Sequence, residues 1–132
     1  IMAYAKFKEL TKYFDFKAEV PTSRLPEYTT EYVRKDEEIL LGYKTHRDHA
    51  IFTNKTMILF DRDIVGTYKK IHMIPYKSIS TSAICFKPGK AEILLSLDSG
   101  YQMRINFVNM NHEKKEHLKV VYKTMMEESV GK

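Results

Sequence analysis

The sequence has no tryptophan, one cysteine, five glycines and four prolines among 132 residues, and no long hydrophobic run. Each scarcity removes a class of protein. A lone Cys85 cannot form an intrachain disulfide, so a small disulfide-stapled secreted fold is excluded. Nothing approaches the roughly 18 apolar residues that a bilayer crossing needs, so no transmembrane helix is expected. Charge of one sign is also missing in bulk. The net charge is +5, yet residues 1–36 hold seven basic and six acidic side chains, residues 37–111 ten and seven, and residues 112–132 five and four. A concentrated basic stretch is therefore absent, and a nucleic-acid partner is not expected. Ile1 precedes Met2, and Met2 is expected as the natural start with Ile1 a remnant before it. Lys6, Lys8 and Glu9 fall where a signal peptide needs its apolar stretch, so the cytoplasm is the expected location.

What is present is the composition of one folded domain, with 43% hydrophobic and 30% charged residues. Residues 3–14 read as a helix, because Tyr4, Phe7, Leu10 and Phe14 recur at three- and four-residue steps. Pro21 and Pro26 frame a connector in which Ser23 or Leu25 precedes a short second helix, expected with Pro26 in its first turn and Tyr28, Tyr32 and Val33 on its apolar side. Residues 1–35 are thus set apart as an N-terminal helical extension. Its aromatic stripe has three places to pack: its own sheet, a neighbouring subunit or a membrane surface. Internal or intersubunit packing is preferred, since Glu9 and Asp15 dilute the basic face.

From Glu38 the period changes to two. Strands are expected at Glu38–Lys44, His49–Thr53, Thr56–Phe60, Tyr68–Ile74, Lys77–Phe86, Ala91–Leu97 and Tyr101–Phe107. Turns separate them: Thr45–Asp48; Asn54-Lys55, where asparagine tolerates a positive φ; the loop Asp61–Gly66; Pro88-Gly89, suited to a type II turn; and Asp98-Ser99-Gly100. A terminal helix starts after Asn109 or Asn111, either of which can cap it. Its stripe Leu118, Val121, Tyr122 and Met125 is the natural cover for an apolar sheet face. The expected architecture is mainly β with helices: a strongly bent antiparallel sheet or barrel of about seven strands, over residues 36–130, capped by a C-terminal α-helix.

Chemistry is sparse along this frame. His46 and His49 flank one turn without a second ligand pair, and they read as exposed turn histidines rather than a metal site. His112 and His117 are five apart on a helix, where chelation wants four, and His72 reads as a strand-face residue. Cys85, between Ile84 and Phe86, reads as a buried and inert core thiol. Asp61 and Asp63 read as solvated loop acids beside Arg62. No nucleophile elbow, phosphate loop or dinucleotide fingerprint occurs, so no enzyme activity, metal or cofactor is expected.

Two segments carry a family resemblance. Phe52-Thr53-Asn54-Lys55-Thr56-Met57-Ile58-Leu59 resembles the strand–turn–strand signature of the bacterial pleckstrin-homology-like family, and Ile74-Pro75-Tyr76-Lys77-Ser78-Ile79 resembles its Pro-Tyr segment. The match spans roughly residues 36–127. One position departs: Thr56 stands where the family often has a basic residue. The resemblance implies a PH-like barrel, no catalysis and a tendency to form homo-oligomers, with a protein partner as the general expectation. In pleckstrin-homology folds that bind inositol phosphates, cations around the first strand connection hold the headgroup. By that resemblance Lys44, His46 and Arg47 in the first turn, with Lys69 and Lys70, form a candidate site for a phosphate or anionic lipid headgroup. Against this stands the ordinary reading of solvated loop charges, with Asp48 offsetting part of the cluster.

Overall fold

The computed structural model describes residues 12–46, 48–62 and 69–131, with side chains from Asp15 onward. Eight strands, β1 (Lys12–Val20), β2 (Ile39–Thr45), β3 (His49–Thr53), β4 (Thr56–Arg62), β5 (Lys69–Pro75), β6 (Ile79–Lys87), β7 (Lys90–Leu97) and β8 (Gln102–Phe107), precede the helix α1 (His112–Val130). They form one sheet in the order β5-β4-β3-β2-β1-β8-β7-β6. All neighbours are antiparallel except β1 and β8, which run parallel. The edge strands β5 and β6 are joined in sequence by only the three-residue 3-10 turn Tyr76–Ser78. A sheet whose two edges are so tethered has to curl back towards itself. It is bent but not closed.

The β7–β8 hairpin follows the period-two pattern, pairing Ala91 with Phe107, Ile93 with Ile105 and Leu95 with Met103, all buried. The Pro88-Gly89 turn before it has Gly89 at φ 70, the left-handed conformation a type II turn requires. At the other end of the hairpin the strand starts at Gln102, leaving Tyr101 in the turn. Asn111, one of the two expected caps, accepts from the Lys114 amide at 2.9 Å and opens α1. Leu118, Val121 and Met125 are buried and Tyr122 half-buried against the sheet core, as the stripe predicts.

The eighth strand is the main surprise. Residues 12–14 are the start of β1 and not the end of a helix, while residues 3–11 lie outside the described residues. The physical reason is visible afterwards: Phe14, Phe16, Ala18 and Val20 alternate with Asp15, Lys17 and Glu19, a period-two run that overlaps the last helical repeat. The sheet therefore takes in residues 12–20, upstream of the expected boundary at residue 36. Phe16 is 1% exposed and joins Tyr43, Phe52 and Phe107 in an aromatic cluster, with ring centroids 5.3, 6.1 and 5.1 Å away.

Two layers of apolar packing result. The concave side holds the main core beneath α1, and the opposite side of β3–β5 holds Ile51, Ile58 and Phe60. That second face is covered by the connector, through Leu25, Tyr28 and Val33. The 3-10 turn Glu27–Thr30 stands where a short helix was expected, and a second 3-10 turn, Thr22–Arg24, precedes it in the connector. Gly42 lets the connector lie close, because a Cβ there would meet Leu25 Cδ2 at 2.7 Å.

Candidate functional site

Two side-chain networks stand out. The first ties the connector to the β2–β3 turn. Asp48 ends that turn with its side chain 1% exposed, and its amide donates to Thr45 Oγ1 at 3.0 Å. The Tyr28 hydroxyl donates to Asp48 Oδ1, which also accepts from the His49 amide at 3.0 Å. Two cations face the other carboxylate oxygen: Arg62 Nε at 3.4 Å and Lys69 Nζ at 3.6 Å. Lys69 Nζ also lies 3.8 Å from the centre of the Tyr28 ring, a cation–π contact. Burial, reinforced by the Asp48 carboxylate, pushes the Tyr28 phenol up to about 12.

Strand register decides which of the expected anion-site residues meet. Lys44 pairs with His49, and Arg62 pairs with Lys69, so the β2–β3 turn and the ends of β4 and β5 share one end of the sheet. Lys44 and His46 are exposed there. Lys69 is committed to Asp48 and Tyr28, whereas Lys70, its neighbour in the strand, points to the opposite face and is exposed. Arg47 lies outside the described residues. Arg62 and Tyr28 were missed by the sequence reading. Twenty residues separate Tyr28 from Asp48, and no local pattern joins them.

The second network explains why the two family segments occur together. Thr53 Oγ1 accepts from the amides of Lys55 and Thr56 at 3.0 and 2.8 Å, which closes the β3–β4 turn. Tyr76 reaches this turn twice: its amide donates to the Lys55 carbonyl at 3.0 Å and its hydroxyl to the Thr53 carbonyl at 2.7 Å. Thr53 Oγ1 in turn donates to Glu37 Oε2 at 2.6 Å, and the Arg34 amide donates to Glu37 Oε1 at 3.0 Å. Burial resists ionisation of Glu37, but these hydrogen bonds outweigh it and hold its carboxyl below the ordinary range. Asn54 does not take the positive φ expected of it. Its side chain instead accepts from the Glu38 amide at 2.9 Å, and among the described residues Asn109 is the non-glycine residue with positive φ.

The remaining candidates are dispersed. Cys85 is exposed, which corrects the expected buried thiol: β6 is an edge strand, and side chains on its outer face have no layer above them. Asp61 lies in β4 rather than in a loop, half-buried, with His72 Nε2 3.8 Å from its carboxylate; Asp63 lies outside the described residues. His117 Nδ1 meets Glu19 at 2.8 Å on the helix side. A polar cleft of about 300 Å³ opens near the β6–β7 turn, lined by Asp15 and Glu92 as well as Lys87 and Lys90, so its charge favours neither sign. Among the described residues, no helix is long and apolar enough to cross a membrane.

Solved structures share this architecture. A protein with a pleckstrin-homology domain from Shewanella loihica is 26% identical, with a TM-score of 0.63 over 85% of this chain and 96% of the other. A pleckstrin homology domain from Shewanella amazonensis is 26% identical, with a TM-score of 0.56 over 82% of this chain and 90% of the other. A PH-domain-containing bacterial protein from Exiguobacterium sibiricum, 18% identical, shares the fold at a TM-score of 0.60 over 89% of this chain and 62% of the other. No curated protein matches the sequence. The bacterial PH domain family profile matches residues 13–129, from β1 through α1 and across both networks, and the chain belongs to that family.

Proposed function

We propose that this chain is a non-catalytic interaction module that associates with copies of itself in the cytoplasm. The observation that carries the reading is β6. Among the described residues this nine-residue strand has a sheet neighbour on one side only. Ser80 to Phe86 carry no charge and no proline, and most of these residues are exposed. Such an edge is a template for another strand, and folded proteins usually guard it. His72, His117 and Cys85 lie apart in the fold, and that dispersal supports a role in binding rather than chemistry. An exposed free thiol suits a reducing compartment. Light scattering across a wide concentration range tests the reading. An oligomer mass supports it, and a monomer mass throughout defeats it.

A second reading, binding of a phosphate or anionic lipid headgroup, has one observation in its favour. Arg62 and Lys69 outnumber Asp48 at the sheet end where Lys44 and His46 are exposed. Sedimentation with phosphatidylserine vesicles tests it: salt-sensitive retention that Lys44→Ala reduces supports an anion site, and no retention removes it.

A further inference from the structure

We propose that the cleft beside the β6–β7 turn binds a small zwitterion of dipeptide length, its carboxylate on Lys87 and Lys90 and its ammonium on Asp15 and Glu92. The site is separate from both readings above, since it uses neither the backbone edge of β6 nor the cations around Asp48. At about 300 Å³ the cleft lies at the small end of the range for small-molecule sites.

Strand register builds the site from two rows of opposite charge. Asp15 pairs with Asn106 and Asn106 with Glu92, so these three cross β1, β8 and β7 in one row. Two residues away along β7, Lys90 pairs with Lys87 of β6. Phe16, Phe107 and Ala91, which separate the two rows along their strands, are buried in the main core. Alternation therefore puts both charged rows on the outer face of the sheet.

The charges in the two rows are only partly satisfied within the protein. Lys87 and Lys90 are exposed and directly opposite, an arrangement of like charges that costs stability and that a bound carboxylate relieves. Lys115 adds a third ammonium at this end, donating to the Lys87 carbonyl at 2.6 Å. In the acidic row Asn106 Nδ2 donates to Asp15 Oδ1 at 3.2 Å, and each of the two keeps a second oxygen able to accept. Arg104 Nε lies 3.4 Å from Glu92 Oε2 and offsets part of that charge, so Asp15 supplies most of the attraction for an ammonium.

The spacing of the rows selects the length of the ligand. Glu92 and Lys90 are two residues apart in one strand, which separates the rows by about 6.6 Å. An extended dipeptide spans about 7 Å between its charged ends, and a single amino acid about half of that. A ligand of one sign satisfies one row and meets repulsion from the other.

Nuclear magnetic resonance titration of the full chain with glycylglycine tests the proposal. Saturable shifts are expected at the amides of Lys90, Glu92 and Asn106. Glycine, N-acetylglycylglycine and glycylglycinamide should each bind at least about tenfold more weakly, because each loses the contact at one end. Lys90→Gln changes an exposed side chain, should keep the circular dichroism of the wild type, and should weaken glycylglycine about tenfold. Lys35→Gln, also exposed, should leave binding unchanged. Asp15→Asn should weaken glycylglycine but not N-acetylglycylglycine. No saturable shift up to about 10 mM overturns the inference. N-acetylglycylglycine binding as tightly as glycylglycine also overturns it, since the site would then recognise an anion alone. Neither result bears on the oligomer mass that tests self-association.

Discussion

Replacing Phe16 with alanine tests whether β1 is built into the sheet. The ring is 1% exposed, and β1 sits between β2 and β8. Tyr43, Phe52 and Phe107 surround it at centroid distances of 5.3, 6.1 and 5.1 Å. Deleting a buried phenylalanine ring costs about 3–5 kcal/mol, combining lost transfer energy with the cavity left behind. A domain of this size is stable by about 5–15 kcal/mol, so the loss takes a large share of the whole. With a urea slope of roughly 2 kcal/mol/M, the unfolding midpoint should fall by about 2 M. Two neighbours calibrate the result. Phe16→Leu keeps most of the volume and should cost about 1.5 kcal/mol, while Lys17→Ala, on an exposed residue, should stay within about 0.5 kcal/mol. A Phe16→Ala loss below about 1 kcal/mol would refute the placement of β1 inside the sheet.

Other outcomes follow from the same contacts. A chain beginning at residue 36 should fail to fold cooperatively, as judged by thermal melting, because β2 and β8 lose the strand between them. Tyr76→Phe leaves the Thr53 carbonyl without its hydroxyl donor and should cost about 1–2 kcal/mol in urea unfolding. Glu37 has a depressed carboxyl, so its contribution is present above the unfolded range near ~4.3 and is lost as pH falls through the lower folded value. Glu37→Gln should be less stable at neutral pH and show a flatter loss in acid, read from unfolding curves between about pH 3 and 7. Tyr28 is the opposite case: its raised phenol contributes stability below the unfolded value near ~10, lost as pH rises through about 12. Tyr28→Phe should reduce that alkaline loss, and alkaline melts check it.

The sequence by itself determined the parts whose information is local. Alternation in Ala91–Leu97 and Tyr101–Phe107 specified one hairpin face, and the Leu118–Met125 stripe specified the helix that covers it. Asn111 and Pro88-Gly89 marked a helix start and a turn through chemistry contained within a few residues. The family segments were legible for the same reason.

What only the tertiary structure decided is longer in range. Residues 12–20 carry both a helical and a strand period near Phe14, and the parallel partner that resolves them, β8, lies some ninety residues away, with Lys12 opposite Met103. Cys85 was misjudged because alternation tells which residues share a face, not whether that face belongs to a covered strand or an edge. The cluster around Asp48 was unreadable in the same way. Charge order along the chain shows five expected cations, but strand register and side-chain alternation set Lys69 against a buried carboxylate and send Lys70 to the other face. Periodicity is a property of neighbours in sequence. Edges, pairings and buried charges are properties of neighbours in space.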